Sequence, residues 1–315
     1  MSNLMKFMTF YGRFLIPFSV VGFHLRGLGR AGMPEGLDGR TILVTGATGG
    51  IGRAVALEAA RRGAHVLAVG RNEAALASLS GDADDSLGDI SGELCDLGLA
   101  AETRALVERL AARGETIDAV VNNVGILNHE FRATGEGVDA MYAVNILNPF
   151  ILTEGLIAAG ALAPGATIVN MASGGLYNAP QNLAYMEQAE EGYNGFAAYA
   201  THKRAQIVLS DAWTRDHDGL HAYTMHPGWV ETDGVKRSLP RFHRVLKRVL
   251  RSPGQGADTA LWLIAARPEP VEGALWFDRK PRSAHAYSST RTPLASAEDI
   301  VAKLAADAGE TGGAS

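Results

Sequence analysis

The 315-residue chain contains a single cysteine, Cys95. A lone cysteine excludes an intramolecular disulfide and a zinc site built from several cysteines, and it is typical of a reducing compartment. We therefore expect a cytoplasmic protein, either free or associated with the inner face of a membrane. We predict no metal site.

An excess of positive charge is also lacking. Lys and Arg total 29 against 34 for Asp and Glu, which gives a net charge of −5. Without an overall basic field we expect no nucleic-acid partner. The composition, with 47% hydrophobic and 20% charged residues, is typical of a globular chain rather than a disordered one.

The N-terminal segment lacks an apolar run long enough to span a bilayer. Residues 4–25 contain five phenylalanines, but Lys6, Arg13 and Pro17 interrupt them, whereas a spanning helix needs roughly 20 apolar residues. Two interpretations stay open: an arm that covers an apolar groove of its own domain or of a subunit partner, and an anchor that lies in a membrane interface. The predicted organisation is an arm (1–36), a single domain (37–282) and a loosely held tail (283–315), and whether the chain forms a homo-oligomer stays open.

Seven apolar, β-branched runs of strand length alternate with segments of helical spacing. The predicted strands are residues 41–45, 65–70, 92–97, 117–123, 167–172, 221–226 and 274–278. This alternation predicts a Rossmann-like α/β fold with a doubly wound parallel sheet. Ligands of such sheets bind beyond the carboxyl ends of the strands, so we expect the functional residues there.

The first strand is followed directly by the glycine-rich stretch TGATGGIG, residues 45–52, and then by a helix. Glycines permit a tight turn and a close approach of the backbone to a pyrophosphate, and the helix N-terminus offers N–H groups to the anion. No Gly-Lys-Ser/Thr follows, so a P-loop is not supported. The predicted dinucleotide contacts in this turn are Thr45, Gly46, Thr48, Gly50, Ile51 and Gly52.

The end of the second strand predicts which dinucleotide is bound. An NAD site usually carries an acidic residue there, but this chain has Arg71 and Asn72. A guanidinium suits the 2′-phosphate of NADP, which makes NADP the predicted cofactor. Asp96 and Leu97, after the third strand, are the predicted neighbours of the adenine.

Several motifs occur together in an order that resembles the short-chain dehydrogenase/reductase family. They are TGATGGIG, NNVG at 122–125, Ser173 after the fifth strand, and Tyr199-Ala-Thr-His-Lys203. The stretches at 226–235, 255–263 and 277–281 resemble one subgroup of that family. The resemblance implies that Tyr199 is the general acid, that Ser173 binds the substrate oxygen, and that Lys203 holds the nicotinamide ribose with support from Asn145.

The resemblance also implies further cofactor contacts. The adenosine half would pass over Asn122, Asn123 and Gly125, and the nicotinamide would lie against the loop after the sixth strand. The residues expected in that loop are Pro227, Gly228, Val230 and Thr232.

Chemistry supports the predicted role of Tyr199. A lysine four residues along the same helix face, together with a nicotinamide cation, favours the phenolate, so we expect the pKa of Tyr199 to fall from about 10 towards neutrality. The predicted function is NADP-dependent hydride transfer between the nicotinamide and a carbonyl or alcohol of a lipophilic molecule. Two alternatives stay open: an NADPH sensor, and a peripheral membrane or partner-binding protein with the same fold.

Two segments are expected to surround the substrate. The 26 residues from Ser173 to Tyr199 are about twice the spacing usual in the family, which implies an inserted loop that forms a wall of a largely apolar pocket. Residues 236–251 carry seven Lys or Arg and predict one basic amphipathic lid helix with solvated charges, although a membrane surface or an anionic lipid-like substrate would also suit it.

Overall fold

The computed structural model describes residues 12–310, and its centre is one eight-stranded sheet. The strands are β1 (Thr41–Thr45), β2 (His65–Gly70), β3 (Asp89–Leu94), β4 (Ile117–Asn122), β5 (Leu162–Met171), β6 (His221–Met225), β7 (Ala274–Phe277) and β8 (Lys280–Ser283). Their order in the sheet is β3-β2-β1-β4-β5-β6-β7-β8. All neighbouring pairs are parallel except β7 and β8, so the Rossmann-like fold is confirmed.

Helices cover both faces of this sheet. They are α1 (Val20–Gly27), α2 (Gly50–Arg61), α3 (Glu73–Gly81), α4 (Ala100–Ala112), α5 (Ala140–Ala158), α6 (Gly195–Asp216), α7 (Asp233–Ser238), α8 (Pro240–Leu246), α9 (Pro253–Ala266) and α10 (Ala297–Glu310). One large core packs α4, α5 and α6 against the sheet, and the other packs α2 and α9 against the opposite face. Two aliphatic layers therefore hold the carboxyl ends of the strands in register.

α5 is the one helix among residues 12–310 that is long and apolar enough to cross a membrane. Most of it is buried, because it packs in the core beneath the sheet. Core packing accounts for its apolar character.

All seven predicted strands are present, with the third displaced towards the N-terminus. The eighth strand, Lys280–Ser283, was missed because the sequence KPRS has neither apolar alternation nor β-branched residues. It forms because Asp278 and Arg279 adopt positive φ angles of 50° and 60° in a two-residue turn. Its charged residues and its proline suit an edge strand, since they discourage pairing with another sheet.

The described part of the N-terminal arm packs on its own domain. Phe14 and Phe18 are buried beside Tyr177 and Phe277, and the Phe14 and Phe18 rings stack at 4.5 Å. The inner face of the arm therefore covers an apolar groove of its own domain, as the first of the two interpretations expects. Residues 1–11, the rest of the predicted arm, lie outside the described residues.

The C-terminal segment differs from the expected loosely held tail. Its helix α10 buries Ile300 and Leu304 completely in the core beside α6, so the expectation is wrong for this helix. The pattern AEDIVAKL carries few large apolar residues. Only the structure shows that Ile300 and Leu304 are enough to dock this helix in the core. Residues 311–315 are not among those described.

Candidate active site

The glycine-rich turn is built as its sequence predicts. Gly46 and Gly50 have φ angles of 64° and 54°, a region that residues other than glycine rarely adopt. A Cβ on Gly52 would lie 2.3 Å from the Gly46 oxygen, so only glycine lets α2 approach the turn so closely. No side chain caps the first N–H groups of α2, and the space around Gly49 is open. These backbone donors and this open space fit a pyrophosphate.

Thr45, Thr48 and Ile51 line this turn in different ways. The buried Thr45 hydroxyl accepts hydrogen bonds from the Asn123 and Val124 N–H groups at 2.9 and 3.1 Å, so it ties β1 to the segment after β4. The Thr48 methyl lies against Gly70, at the end of β2. Ile51 packs partly buried beside α9.

Arg71 is free to meet a phosphate. Its side chain is 79% exposed, and its guanidinium lies 4.0 Å from the Asp96 carboxylate, at the limit of an ion pair. The two residues directly after β2 are Arg and Asn, so neither is the acidic residue usual in an NAD site. This part of the geometry is compatible with a 2′-phosphate.

Three predicted cofactor residues point their side chains elsewhere. Asn72 accepts the Ala75 N–H at 2.9 Å and caps α3. Leu97 is buried in the core. Asn122, which is 1% exposed, donates to Thr153 and Asn170 inside the sheet at 3.1 and 3.0 Å. The Leu97 and Asn122 side chains therefore lie in the interior, and a contact of these two residues with the adenosine half of a dinucleotide stays a prediction.

Asn123 and Gly125 border the site as expected. The Asn123 amide donates to the Thr45 oxygen at 2.8 Å, which holds the segment against the glycine-rich turn. A Cβ on Gly125 would lie 3.3 Å from Lys203 Nζ and 3.4 Å from Asn145 Oδ1. The absence of a side chain here keeps the space beside the lysine clear.

The three predicted catalytic side chains converge beyond the end of β5. Ser173 begins a short 3₁₀ turn, where its hydroxyl accepts the Gly175 N–H, and this hydroxyl is near enough to Tyr199 to affect the pKa of the phenol. Tyr199 and Lys203 lie four residues apart on α6, and Lys203 Nζ is 5.9 Å from the centre of the Tyr199 ring. This arrangement places a hydroxyl, a phenol and an amine around one point.

The pKa values of the pair differ from the expected pattern. Burial raises the pKa of Tyr199 above its ordinary value, and the hydrogen bond with Ser173 opposes this rise. Burial also lowers the pKa of Lys203 to about 7. The expected fall in the Tyr199 pKa is therefore not found in the protein alone, because desolvation outweighs the opposing effect of Ser173 and also lowers the pKa of the neighbouring amine.

The surroundings of Lys203 include a residue that sequence reasoning missed. Lys203 Nζ donates to the Met171 carbonyl at 2.7 Å, and one terminal atom of the Gln206 amide lies 3.3 Å from it. Oxygen fits that position best, since an ammonium has only donors. The signal available in the sequence was its spacing, because Gln206 lies three residues after Lys203 on the same helix face.

Asn145 lies in an irregular turn of α5. Residues 143–147 form one π-helical turn, a feature frequent at functional sites. The Asn145 amide makes two hydrogen bonds with the Ile126 backbone, at 2.8 and 2.9 Å. This holds the segment after β4 in place beside Lys203.

The loop after β6 approaches the glycine-rich turn from the other side. A Cβ on Gly50 would lie 3.1 Å from the Thr232 methyl, and the Thr232 hydroxyl caps α7. Val230 is buried against Gly256 of α9. Pro227 accepts a hydrogen bond from Arg251, and Gly228 has a φ of 84° with Arg251 against its Cα. The glycine-rich turn and the loop after β6, which were predicted separately as cofactor contacts, are therefore neighbours in the fold.

The prediction of one continuous basic lid helix over residues 236–251 is wrong, and Arg251 is not part of a lid surface. It is 1% exposed and forms a bidentate ion pair with Asp278 at 2.7 and 3.0 Å. The remaining lid residues form two short helices, α7 and α8, because Pro240 interrupts the pattern. The Lys and Arg side chains of residues 236–248 are exposed as expected, whereas the seventh cation, Arg251, is buried and has a structural role.

The inserted loop also packs more deeply than expected. Met186 is fully buried in the core, where its carbonyl is hydrogen-bonded by the His202 ring at 2.5 Å. Tyr177 packs against the N-terminal arm. These side chains hold the insert to the domain, and His202 has the structural role that its helix face suggests.

Comparison with known proteins agrees with this geometry. The family model for short chain dehydrogenases matches residues 40–241. Human dehydrogenase/reductase SDR family member 12 is 33% identical over 280 residues, which cover 85% of this chain and 86% of that protein. Human retinol dehydrogenase 14 is 30% identical over 278 residues, with 80% and 81% covered.

A solved structure shows the same fold with a dinucleotide. It comes from Beutenbergia cavernae, is provisionally described as an NAD(P)-dependent gluconate 5-dehydrogenase, and holds NADP at low occupancy. It is 29% identical, covers 74% of this chain and 91% of its own, and has a TM-score of 0.59. The motifs, the fold and these similarities together show that the chain belongs to the short-chain dehydrogenase/reductase family of oxidoreductases.

Proposed function

We propose that the protein is an NADP-dependent oxidoreductase that reduces a carbonyl group on a lipophilic small molecule. The observation that carries the proposal is the convergence of Ser173, Tyr199 and Lys203 beyond β5, on the side of the sheet where the glycine-rich turn lies. A retinol dehydrogenase among the relatives supports a lipophilic alcohol or carbonyl as the substrate class. With NADP as the proposed cofactor, we propose reduction of the carbonyl as the favoured direction of the reaction.

The proposed chemistry divides between these side chains. NADPH, when bound, would supply a hydride to the carbonyl carbon and become NADP⁺. The Ser173 hydroxyl donates a hydrogen bond to the substrate oxygen, which positions the carbonyl and stabilises the negative charge that develops there. Tyr199 transfers its phenolic proton to that oxygen and completes the alcohol.

Lys203 serves two purposes in this proposal. Its amine would bind the nicotinamide ribose, and its charge would stabilise the Tyr199 phenolate after proton transfer. The Met171 carbonyl and the Gln206 amide hold the amine in place. With a pKa of about 7, Lys203 is partly protonated near neutrality.

The first test is Tyr199→Phe, which removes the proton donor and keeps the ring. We expect carbonyl reduction with NADPH to fall at least about a hundredfold, the usual range for loss of a general acid, with NADPH affinity within about threefold of wild type. Turnover would be followed by NADPH absorbance with lipophilic aldehydes and ketones, and affinity by fluorescence titration. Tyr287→Phe, on a tyrosine outside this site, is the control. Unchanged turnover in Tyr199→Phe would reject the proposed acid.

The cofactor preference is tested at Arg71. Wild type should bind NADPH more tightly than NADH, and Arg71→Asp should shift the ratio of the two dissociation constants by at least about tenfold towards NADH. Arg61→Asp, at the far end of α2 and 60% exposed, is the matched control. An unaltered ratio would show that Arg71 is an ordinary surface residue. Failure of the folded wild type to bind either dinucleotide would overturn the proposed function as a whole.

A further inference from the structure

The outer face of the N-terminal arm exposes large aliphatic side chains. On α1, Val21 and Leu25 are 48% and 59% exposed, and Leu28, just beyond its end, is 90% exposed. Their spacing places them on one face. In the preceding helical turns Leu15 and Ile16 are 40% and 59% exposed. Five exposed aliphatic residues thus lie within 14 positions, and exposed apolar residues concentrated in this way mark an interaction site.

The arm cannot rotate to bury this face. Its opposite side is held by Phe14 and Phe18, which are buried, and by Arg26, whose guanidinium lies 2.6 Å from Asp278. A Cβ on Gly22 would lie 2.2 Å from the Ile16 oxygen, so the two helical parts of the arm are closely packed. The exposed aliphatic face is therefore a fixed feature of the folded chain.

A cluster of cations lies near the start of α1. The Val20 N–H donates to the Val249 oxygen at 2.9 Å, which joins the start of α1 to the segment that follows α8. Trp229 packs between Phe18 and Phe242, with ring centres 5.7 and 5.1 Å away, and joins α8 to the arm. The exposed cations of this segment are Lys236, Arg237, Arg241, Arg244, Lys247 and Arg248.

The side chains of these six cations are exposed. None of them forms an ion pair with any residue in the described part of the chain, residues 12–310. The chain as a whole is acidic, with a net charge of −5, so this positive patch is local. An anionic partner would be attracted to this part of the surface.

We propose that the exposed aliphatic face and the six cations together form a docking surface for an anionic lipid bilayer. An amphipathic helix with aliphatic residues on one side and Lys or Arg nearby lies in the membrane interface, where the aliphatic residues enter the acyl boundary and the cations meet lipid phosphates. A second copy of the chain fits less well, because a twofold contact would bring identical positive patches together. This inference goes beyond the proposed function and does not depend on it.

The test is co-sedimentation of the full chain with vesicles, in the presence and in the absence of NADPH. We expect binding to vesicles of phosphatidylcholine containing about one third phosphatidylserine, weaker binding to phosphatidylcholine alone, and loss of the difference at high salt. The double variant Leu25→Ser/Leu28→Ser should bind at least about tenfold more weakly. Arg244→Glu/Arg248→Glu should lose the preference for phosphatidylserine.

Matched controls separate the surface from general effects of substitution. Leu294→Ser removes an aliphatic residue that is 66% exposed and lies outside the arm, and Arg291→Glu reverses an exposed charge that is not one of the six cations. Both should bind vesicles like wild type. Circular dichroism and NADPH titration of each variant check that the fold is intact.

Three results would overturn the proposal. The first is no binding of the folded wild type to anionic vesicles at low salt, and the second is an equal loss in Leu294→Ser. The third is a wild-type dimer that Leu25→Ser/Leu28→Ser converts to monomers in the absence of vesicles, which would assign the face to a second copy. Loss of vesicle binding with unchanged reductase activity, or the reverse, distinguishes this proposal from the proposed function.

Discussion

Lys203 shows how one residue serves the site at a cost to the fold. Its side chain is buried at 3% exposure, and its amine is held by the Met171 carbonyl and the Gln206 amide rather than by a carboxylate. Burial without a counter-charge lowers the pKa to about 7 from the ordinary 10.5. The unfolded chain therefore binds more protons than the folded chain between these two pH values.

This difference predicts a pH-dependent stability. The free energy of unfolding should rise with pH from 7 towards 10, by at most about 1.4 kcal/mol per pH unit, because a proton bound only by the unfolded state is progressively lost. Lys203→Met removes this contribution, so wild type should gain stability relative to the variant as the pH rises from 7 to 9. Urea unfolding at several pH values measures it. Lys280→Met, on an exposed lysine, should show no such trend, and a parallel pH dependence of Lys203→Met and wild type would contradict the assignment.

The α2 helix shows how an element is positioned by residues without side chains. Its first turn approaches β1 and the segment after β4 so closely that no Cβ fits at Gly52, which lies against the Gly46 oxygen and the Asn123 amide. The same closeness brings the open N–H groups of α2 to the end of the sheet. Packing of the element and affinity for a dinucleotide thus depend on the same contact.

Gly52→Ala should therefore affect both properties. A Cβ would lie 2.3 Å from the Gly46 oxygen and 2.5 Å from Asn123 Nδ2, so the helix must shift. We expect NADPH affinity to fall at least about tenfold and the free energy of unfolding to fall by about 1 to 3 kcal/mol, the usual cost of overpacking. Fluorescence titration and urea unfolding measure the two. Gly81→Ala, where nothing lies within 4 Å, should be neutral or slightly stabilising, and equal behaviour of the two variants would refute the argument.

At the scale of the whole molecule, one buried ion network joins the arm, the loop after β6 and the turn between β7 and β8. Asp278 binds Arg251 with both carboxylate oxygens and also binds Arg26 of the arm. Arg251 in turn donates to the Pro17, Phe18 and Pro227 carbonyls. Segments more than 200 residues apart in the chain are held together by these contacts.

Asp278→Asn tests this network. Asparagine also tolerates a positive φ, so the substitution mainly removes the charge. The buried Arg251 and the partly exposed Arg26 would lose their counter-ion. We expect the free energy of unfolding to fall by about 3 to 5 kcal/mol at neutral pH, with faster trypsin cleavage of the arm. Asp82→Asn breaks an exposed pair with Arg53 and should cost less than about 1 kcal/mol.

The same network has a predicted pH dependence. The pKa of Asp278 is lowered: burial raises it, but the hydrogen bonds and charges of Arg251 and Arg26 outweigh burial. Its contribution to stability is present above the ordinary carboxyl pKa of about 4 and is lost as the pH falls below that value. The stability gap between wild type and Asp278→Asn should narrow from pH 5 to pH 3, and a constant gap would argue against a charged Asp278 in the folded protein.

The sequence alone determined the features that depend on neighbouring residues. Seven strands, the glycine-rich turn and the pair Tyr199 and Lys203 follow from short patterns, because strand periodicity, turn conformation and the face of a helix are local properties. The family resemblance follows from the order of these motifs. The eighth strand, by contrast, has no local pattern. It depends on the turn at Asp278, whose carboxylate is held by Arg251, a residue from another segment of the chain.

Only the tertiary structure decided what depends on contacts between distant segments. It turned Leu97 and Asn122 into the core, buried Arg251 instead of leaving it on a lid, and raised the pKa of Tyr199. It also placed the start of α1 against the segment that follows α8, near the exposed cations. Burial, desolvation and ion pairing are set by which surfaces meet when the chain folds, and residues far apart in the sequence supply those surfaces.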